Sequence, residues 1–184
     1  MTRFLTGLMC AVIAATSAAY AAGFALSANG MTDNAMLTKD GAFDKTRASD
    51  GGACGGKNVP PGFSWINPPA GTQSYALLMF DPDGLGGKGV SHWVLYNIPG
   101  SVTSLSPADI DAKKYTPGRG TGDLVGYRGP CPPSGDAPHH YVLTLYATDL
   151  PPTLPAGLDR PGVFQAIDGH VKGATTTIMR YQAQ

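Results

Sequence analysis

The sequence is poor in charged residues and carries no net charge. Only 14% of its 184 residues are charged, with 13 basic and 13 acidic side chains. A nucleic-acid-binding protein needs a basic surface for phosphate contacts, and electrostatic attachment to anionic lipid needs clustered Lys or Arg. The even balance argues against both, and no nucleic-acid partner is expected.

Long apolar runs are missing after the N-terminus. Residues 1–22 begin with a basic Arg3, continue with a short apolar stretch and end in small residues around Tyr20, as secretory signal peptides do. The stretch is too short for a transmembrane anchor. Lipidation at Cys10 is a weaker alternative, because Met9 stands where a small residue is expected. The sequence predicts a signal peptide at residues 1–22, a single domain over residues 23–184, and a periplasmic or secreted protein without a membrane span.

Cysteine is scarce, with three residues in the chain, and removal of the signal would leave Cys54 and Cys131. Two cysteines in an oxidising compartment are expected to form a disulfide. The bridge would close a loop of about 77 residues and contribute at most about 4–5 kcal/mol in the chain-entropy model. A reactive thiol at Cys131 is the alternative, which export makes less favourable.

Glycine (25 residues) and proline (16) are abundant and separate short apolar segments. The apolar and β-branched patterns predict strands at residues 24–28, 63–65, 74–80, 90–98, 141–148 and 175–181. The third of these is apolar nearly throughout, so we expect it to be buried on both faces. The pattern favours a mostly β fold, an antiparallel β-sandwich of the Greek-key type with one or two short helices near the C-terminus.

Two short helical segments are predicted from their capping residues. Residues 106–110 have Ser106 in position to cap a helical turn, with proline next. A second helix is expected to start at Asp159 and run through His170, with Gly173 ending it. His170 is interpreted as a residue of this helix terminus.

The residues that carry chemistry fall in two segments, of which the first follows an apolar strand. Asp81 and Asp83 are expected to point into a common space, because alternate residues of an extended chain face the same way. His92 opens the next strand, where pairing with an aspartate would make it an anion donor near neutral pH. Taken alone, residues 81–84 indicate only a turn, and a histidine beside a tryptophan is usually a core residue.

The second segment is the proline-rich loop of residues 126–135 with the strand after it. Polyproline holds backbone groups in place at little entropic cost. Alternation places His139 and Tyr141 on one face of the strand and His140 on the other, so we expect the first two in a pocket and His140 on the surface. Metal binding is the rival interpretation, but the spacings are not those of a compact zinc site.

No cofactor site or enzymatic nucleophile is evident in the sequence. Residues 84–89 have the glycine spacing of a dinucleotide-binding loop, but that loop needs a helix N-terminus to receive the pyrophosphate. The strand predicted at residues 90–98 follows directly instead, so residues 84–89 are interpreted as a flexible hairpin connection. There is no Gly-x-Ser-x-Gly motif, and Cys131 is expected to be bridged.

Six segments together resemble the phosphatidylethanolamine-binding proteins, in their bacterial Raf-kinase-inhibitor-like branch. They are residues 54–61 (CGGKNVPP), 74–77 (SYAL), 81–83 (DPD), 92–99 (HWVLYNIP), 129–133 (GPCPP) and 139–141 (HHY). They occur in family order over nearly the whole chain after the signal.

The resemblance implies a β-sandwich with a small pocket at one end for phosphate, phosphorylethanolamine and similar groups. Carried over residue by residue, the pocket would contain Asp81, Asp83, His92, Pro133, His139 and Tyr141. A disulfide between Cys54 and Cys131 is also expected in this branch.

Three hypotheses for function follow. The first is an exported, non-enzymatic protein that binds a small phosphate-type anion, such as a phospholipid headgroup, and could inhibit or modulate a partner enzyme. The second is an enzyme in which His92 and Asp83 perform acid–base chemistry on a small molecule. The third is a protein whose loops serve only protein contacts, without affinity for anions.

Overall fold

The structure is a computed structural model that describes residues 23–47 and 50–183. The predicted signal peptide lies outside the described residues. The strands are β1 (Ala25–Ala28), β2 (Ala35–Met36), β3 (Phe63–Ile66), β4 (Ser74–Asp81), β5 (Val90–Pro99), β6 (Ser104–Leu105), β7 (Thr116–Pro117), β8 (His139–Thr148) and β9 (Val171–Tyr181). The short helices are α1 (Gly84–Gly87), α2 (Pro107–Asp111) and α3 (Arg160–Ile167).

The strands form two sheets that pack face to face. The larger sheet has the order β2-β9-β8-β4-β5-β7, and the smaller one has the order β1-β3-β6. The pairs are antiparallel except that β2 runs parallel to β9. The expectation of a mostly β sandwich with few short helices is confirmed.

The core between the sheets is built from alternate residues of the long strands. On β8 every second residue is buried from His139 to Ala147, as the period of an extended chain requires. Leu143 of this strand and Leu77 of β4 belong to the same apolar cluster as Phe63 and Trp65 of the smaller sheet. The interior face of the large sheet therefore holds both the apolar core and the polar residues at the start of β8.

The opposite face of the large sheet is covered by α3. Val94 and Tyr96 of β5 form a second apolar cluster with Val163 and Ile167 of the helix. Strand β4 lies between the two clusters, and seven of its eight residues are buried. Burial on both faces explains why its sequence is apolar nearly throughout.

Helices α2 and α3 start where the sequence predicts, but α3 ends earlier than predicted. Segment α1 was predicted as a hairpin connection, and its Leu85 and Gly86 have left-handed backbone angles (φ 53° and 66°). Ser106 caps α2 in a capping box with Asp109, and Asp159 caps α3 by accepting from the Gly162 N–H at 2.8 Å. Helix α3 ends at Ile167, and Gly173 lies inside β9, so the prediction that Gly173 ends it was wrong. Gly169, with φ of 75°, turns the chain instead, because glycine adopts this left-handed conformation without strain.

A disulfide and several backbone contacts hold the proline-rich loop against the N-terminal part of the domain. Cys54 and Cys131 are bonded, with their Cα atoms 5.2 Å apart, as predicted. Arg47 donates to the Pro132 carbonyl at 2.7 Å, and Gly129 N–H donates to the Asn58 side chain at 2.7 Å. The position of the proline-rich loop is therefore set by contacts with residues far away in the sequence, and not by contacts within the loop.

Among the helices of residues 23–47 and 50–183, none has the length and apolarity needed to cross a membrane.

Candidate functional site

A β-bulge in β5 brings His92 into the core between the sheets. Met79 of β4 pairs with Trp93, while the next residue, Phe80, pairs with Ser91. His92 is the extra, unpaired residue between these two pairs. Its side chain therefore does not point to the face opposite Trp93, as strand alternation would require, and is buried on the same side as Trp93. Its ring meets the Tyr141 ring edge-on, with 5.1 Å between centroids. Bulges of this kind re-aim single side chains, here toward the start of β8.

The carboxylate of Asp81 connects the two buried histidines. Its Oδ2 atom lies 2.9 Å from Nδ1 of His139 and 3.8 Å from Nε2 of His92. Its Oδ1 atom accepts from the backbone N–H groups of Asp83 and Gly84, at 2.9 and 3.1 Å. Asp81 is therefore held in one orientation by the turn that follows its own strand.

The surroundings favour a charged Asp81 and a charged His139. Burial alone would raise the pKa of Asp81, but the His92 and His139 rings outweigh it and the pKa is lowered. Burial alone would lower the pKa of His139, but its contacts with Asp81 and Asp136 outweigh it and the pKa is raised. A protonated His139 donates from both ring nitrogens, to Asp81 and, at 3.2 Å, to Asp136.

The tautomer of His92 follows from its backbone contact. Nδ1 of His92 lies 2.9 Å from the carbonyl oxygen of Arg128. A carbonyl only accepts, so Nδ1 must carry the hydrogen. Nε2 then faces the Asp81 carboxylate, 3.8 Å away.

The Tyr141 ring lies against His92, the Arg128 side chain acts electrostatically on Tyr141, and each carries a polar atom without a hydrogen-bond partner among the described residues. The hydroxyl of Tyr141 and the Nε of Arg128 are buried and make no hydrogen bond to the described residues. The Arg128 guanidinium stacks on Phe43 at 5.3 Å and forms no ion pair within the described part of the chain. Burial lowers the pKa of Arg128 and raises that of Tyr141, so a protonated phenol lies beside a cation. Both can donate to an anion.

We call Asp81, His92, Arg128, His139 and Tyr141 the histidine cluster. Sequence reasoning identified four of these residues and missed Arg128, although Arg128 lies inside the proline-rich loop that was singled out. It also missed Asp136, which contacts the outer nitrogen of His139. The available signal was an isolated arginine immediately before the Gly129-Pro130-Cys131 segment.

Asp83 does not share the space of Asp81, contrary to the sequence expectation. It lies beyond the end of β4, with helical backbone angles (φ −81°, ψ −20°), so strand alternation does not extend to it. Its Oδ2 atom accepts from the backbone and the ring of His140, at 2.8 and 3.0 Å, and these contacts lower its pKa. His140 lies on the outer face of β8, as predicted. Asp83 and His140 form a half-exposed pair, and the Asp83 carboxylate is still near enough to act electrostatically on His139 and Tyr141.

Pro133 begins the turn that places Asp136. Its carbonyl oxygen accepts from the Asp136 N–H at 3.3 Å, and the turn brings the Asp136 carboxylate back to His139. Pro133 is half-buried at the outer side of the histidine cluster. Within the described residues, no group of three or more His, Cys, Asp or Glu side chains has the arrangement of a metal site.

Comparison with known proteins identifies the family. The model of the phosphatidylethanolamine-binding protein family matches residues 29–182. The chain belongs to this family. The match spans every strand from β2 to β9 and includes all residues of the histidine cluster.

Relatives of known sequence and structure agree with this membership. A UPF0098 protein of Methanothermobacter thermautotrophicus is 39% identical over 152 residues, which are 80% of this chain and 99% of that protein. LppC of Mycobacterium tuberculosis, which is named as a lipoprotein, is 36% identical over 136 residues, 71% of this chain and 63% of that one. The crystal structure of Escherichia coli YbcL, described as a member of the mammalian PEBP family, matches with a TM-score of 0.76, 29% identity and coverage of 89% and 100% of the two chains.

Proposed function

We propose that this member of the phosphatidylethanolamine-binding protein family binds a small phosphate-type anion at the histidine cluster. The observation that carries the proposal is a pair of buried donors that have no partner among the described residues: the Tyr141 hydroxyl, whose ring lies against His92, and the Arg128 Nε, whose charge acts on Tyr141. A buried donor left unsatisfied costs free energy. Anion oxygens would satisfy these donors and pair with the Arg128 charge.

The charge of the histidine cluster suits an anion better than a cation. Arg128 and protonated His139 supply two positive charges, against one negative charge on the buried Asp81. The second carboxylate at His139, that of Asp136, is half-exposed and can turn away from an incoming anion. An ammonium group, as in phosphorylethanolamine, would find its partner at the half-exposed carboxylate of Asp136 or Asp83.

We propose a binding protein rather than an enzyme. The described residues place no serine or cysteine nucleophile against His92 or His139, and Cys131 is held in the disulfide. Nucleophilic catalysis needs such a pair. A phosphate-type group presented by a partner enzyme would be accepted at the same cluster, which is how the protein would modulate that enzyme.

The proposed location is the cell envelope or the extracellular space. The disulfide is typical of oxidising compartments, and residues 1–22 have the pattern of a signal peptide. The lipoprotein name of the relative LppC supports the same location.

The test is an NMR titration of the oxidised protein with inorganic phosphate and with phosphorylethanolamine. We expect saturable shifts of the His92, His139 and Tyr141 ring signals, which disappear in His92→Ala. His170→Ala is the matched control, because His170 forms an exposed pair with Asp149 at 2.9 Å and should leave the titration unchanged. Arg128→Met keeps the contact with Phe43 and should weaken phosphate about tenfold.

Two results would overturn the proposal. The absence of any shift at millimolar phosphate would remove the anion site. Hydrolysis of a phosphate ester or carboxylic ester that is lost in His92→Ala but kept in His170→Ala would establish the enzyme alternative instead.

A further inference from the structure

A cavity of about 350 Å³ lies apart from the histidine cluster, at the edge of the sandwich. It is enclosed by β5, α2, β7 and the segment before Arg128, and Trp93, Leu95, Ile110, Pro117, Val125 and Tyr127 form its apolar lining. None of the five residues of the histidine cluster lines it. The volume is within the range of sites for small organic ligands.

The walls of the cavity are fixed by packing. The Trp93 ring meets Phe63 and Tyr127 at centroid distances of 6.1 and 5.4 Å, and the Tyr127 hydroxyl donates to the Gly41 carbonyl at 2.8 Å. Asn58, also in the lining, uses its side chain to bond the Tyr127 carbonyl and the Gly129 N–H. The cavity is therefore a preformed space whose interior offers aromatic and aliphatic contact.

The mouth of the cavity exposes apolar surface. Val125 is 63% exposed although it lines the cavity, and Val59, next to the lining residue Pro60, is 44% exposed. Contiguous exposed apolar surface marks ligand-binding grooves in many proteins. An apolar ligand body would cover both.

Two lysines lie near the mouth of the cavity, and one of them, Lys113, has no ion-pair partner among the described side chains. Lys114 pairs with the Asp109 carboxylate and balances its charge, and Ser106 donates hydrogen bonds to it. Together these contacts lower the pKa of Asp109 to about 2. Lys113 makes no ion pair with any side chain that the structure describes. Tyr115, half-buried in the same lining, has no hydrogen bond from its hydroxyl to a described residue. A lysine and a phenol at one mouth can bind a carboxylate together.

The backbone of Lys113 indicates that the lysine is there for its side chain. It follows the last turn of α2 with φ of 50°, the left-handed conformation in which helices usually have glycine. A lysine in this conformation is strained, and strained residues concentrate at functional sites. Glycine would be the residue of choice if the position served only to end the helix.

We infer that this cavity is a second ligand site, for a small molecule with an aromatic or aliphatic body and a carboxylate head. The body lies against Trp93, Ile110 and Val125, and the carboxylate lies at the mouth between Lys113 and Tyr115. This ligand is distinct from the phosphate-type anion of the histidine cluster, and the two sites can fill independently.

The test compares 2-naphthoate with its neutral analogue 2-naphthamide, observed by NMR through the two tryptophan indole N–H signals. Trp93 lines the cavity, while Trp65 is buried elsewhere and serves as the internal reference. We expect both probes to shift the Trp93 signal saturably and to leave Trp65 unchanged. Val125→Phe, which fills the mouth, should abolish the shift, and Ile66→Phe, at another exposed position, should not.

The variant Lys113→Gly tests the head group, and it should fold because it relieves the left-handed backbone. We expect it to weaken 2-naphthoate about three- to fivefold, the range of an exposed ion pair, without changing 2-naphthamide. Lys172→Gln, at an exposed position on β9, is the charge control.

Three outcomes would overturn the inference. One is an unshifted Trp93 signal at millimolar 2-naphthoate. Another is an equal loss of both probes in Lys113→Gly, which would show that the carboxylate is not recognised. The third is displacement of 2-naphthoate by saturating inorganic sulfate, which would place the carboxylate at the histidine cluster.

Discussion

The carboxylate of Asp136 contacts the outer ring nitrogen of His139, with 3.2 Å between Oδ2 and Nε2. It thereby uses a donor that a bound phosphate would need, and its charge repels the incoming anion. The side chain of Asp136 is half-exposed, so it can swing away when a stronger anion arrives. Asp136 would therefore act as a weak internal competitor at the proposed anion site.

Removal of this competitor should strengthen binding. In Asp136→Asn we expect phosphate to bind about two- to fivefold more tightly, the scale of a solvent-exposed ion pair. Isothermal titration calorimetry at pH 6 measures the change. Asp149→Asn, which breaks the similar exposed pair with His170, is the matched control and should leave the affinity unchanged. Weaker binding in Asp136→Asn would show that Asp136 contacts the ligand instead of competing with it.

Anion affinity should fall as the pH rises through the pKa of His139. That pKa is raised above the ordinary value of 6.5, so the ring keeps its charge to a higher pH than a free imidazole does. Sulfate is the suitable probe, because its charge is constant from weakly acidic to weakly alkaline solution. In Asp81→Asn the partner that raises the pKa is gone, and the decline should begin at lower pH. A flat profile would contradict a role for the imidazolium.

The Asp81–His139 pair should stabilise the fold in a defined pH window. The lowered pKa of Asp81 gives stability above its ordinary value of 3.8, which is lost as the pH falls through the folded value. The raised pKa of His139 gives stability below 6.5, which is lost as the pH rises through the folded value. The contribution is thus largest between these two limits.

Urea unfolding of Asp81→Asn at several pH values tests this window. We expect a loss of about 2–3 kcal/mol near pH 5, the scale of a buried hydrogen bond to a charged group, and a smaller loss near pH 9. Asp83→Asn, in the half-exposed pair with His140, should cost much less. An equal loss for Asp81→Asn at both pH values would show that the charges do not matter.

The disulfide should be the largest single contribution to stability. It closes a loop of 77 residues, for which the chain-entropy model gives about 4–5 kcal/mol as an upper figure. Urea unfolding of the protein before and after reduction, or of Cys54→Ala with Cys131→Ala, measures the loss. An unchanged midpoint would mean that the contacts of Arg47 and Asn58 with the proline-rich loop suffice to hold it.

The long strands could be predicted from the sequence because the order of apolar and polar side chains along a strand follows which of its faces are buried. The uniform apolar run of β4 and the alternation in β8 each have one structural explanation, and both were confirmed. The cap of α2 was predicted for the same reason, since Ser106, Pro107 and Asp109 act within one turn. A helix cap formed by residues within one turn can be predicted from the sequence without knowledge of the tertiary structure.

The geometry of the site was less predictable because it depends on departures from regular structure. The bulge at His92 leaves no trace in an apolar pattern, since both His92 and Trp93 are simply buried. Asp83 was assigned by alternation that stops two residues earlier, at the end of β4. Arg128 and Asp136 lie in loops, and the contacts that bring them to His92 and His139 come from distant parts of the chain.

The large sheet joins the two ends of the chain. Strand β2 lies near the start of the described residues, and its pairing partner is β9, which lies near their end. Strand β9 also pairs with β8, so it lies between β2 and β8 in the sheet. A growing polypeptide therefore has no complete sheet until Tyr181 has been synthesised. Pairings so distant in sequence fold slowly, on the scale of milliseconds to seconds. Folding of this domain is therefore expected to follow synthesis of the whole chain, because the first and the last paired strands of the large sheet meet only in the finished polypeptide.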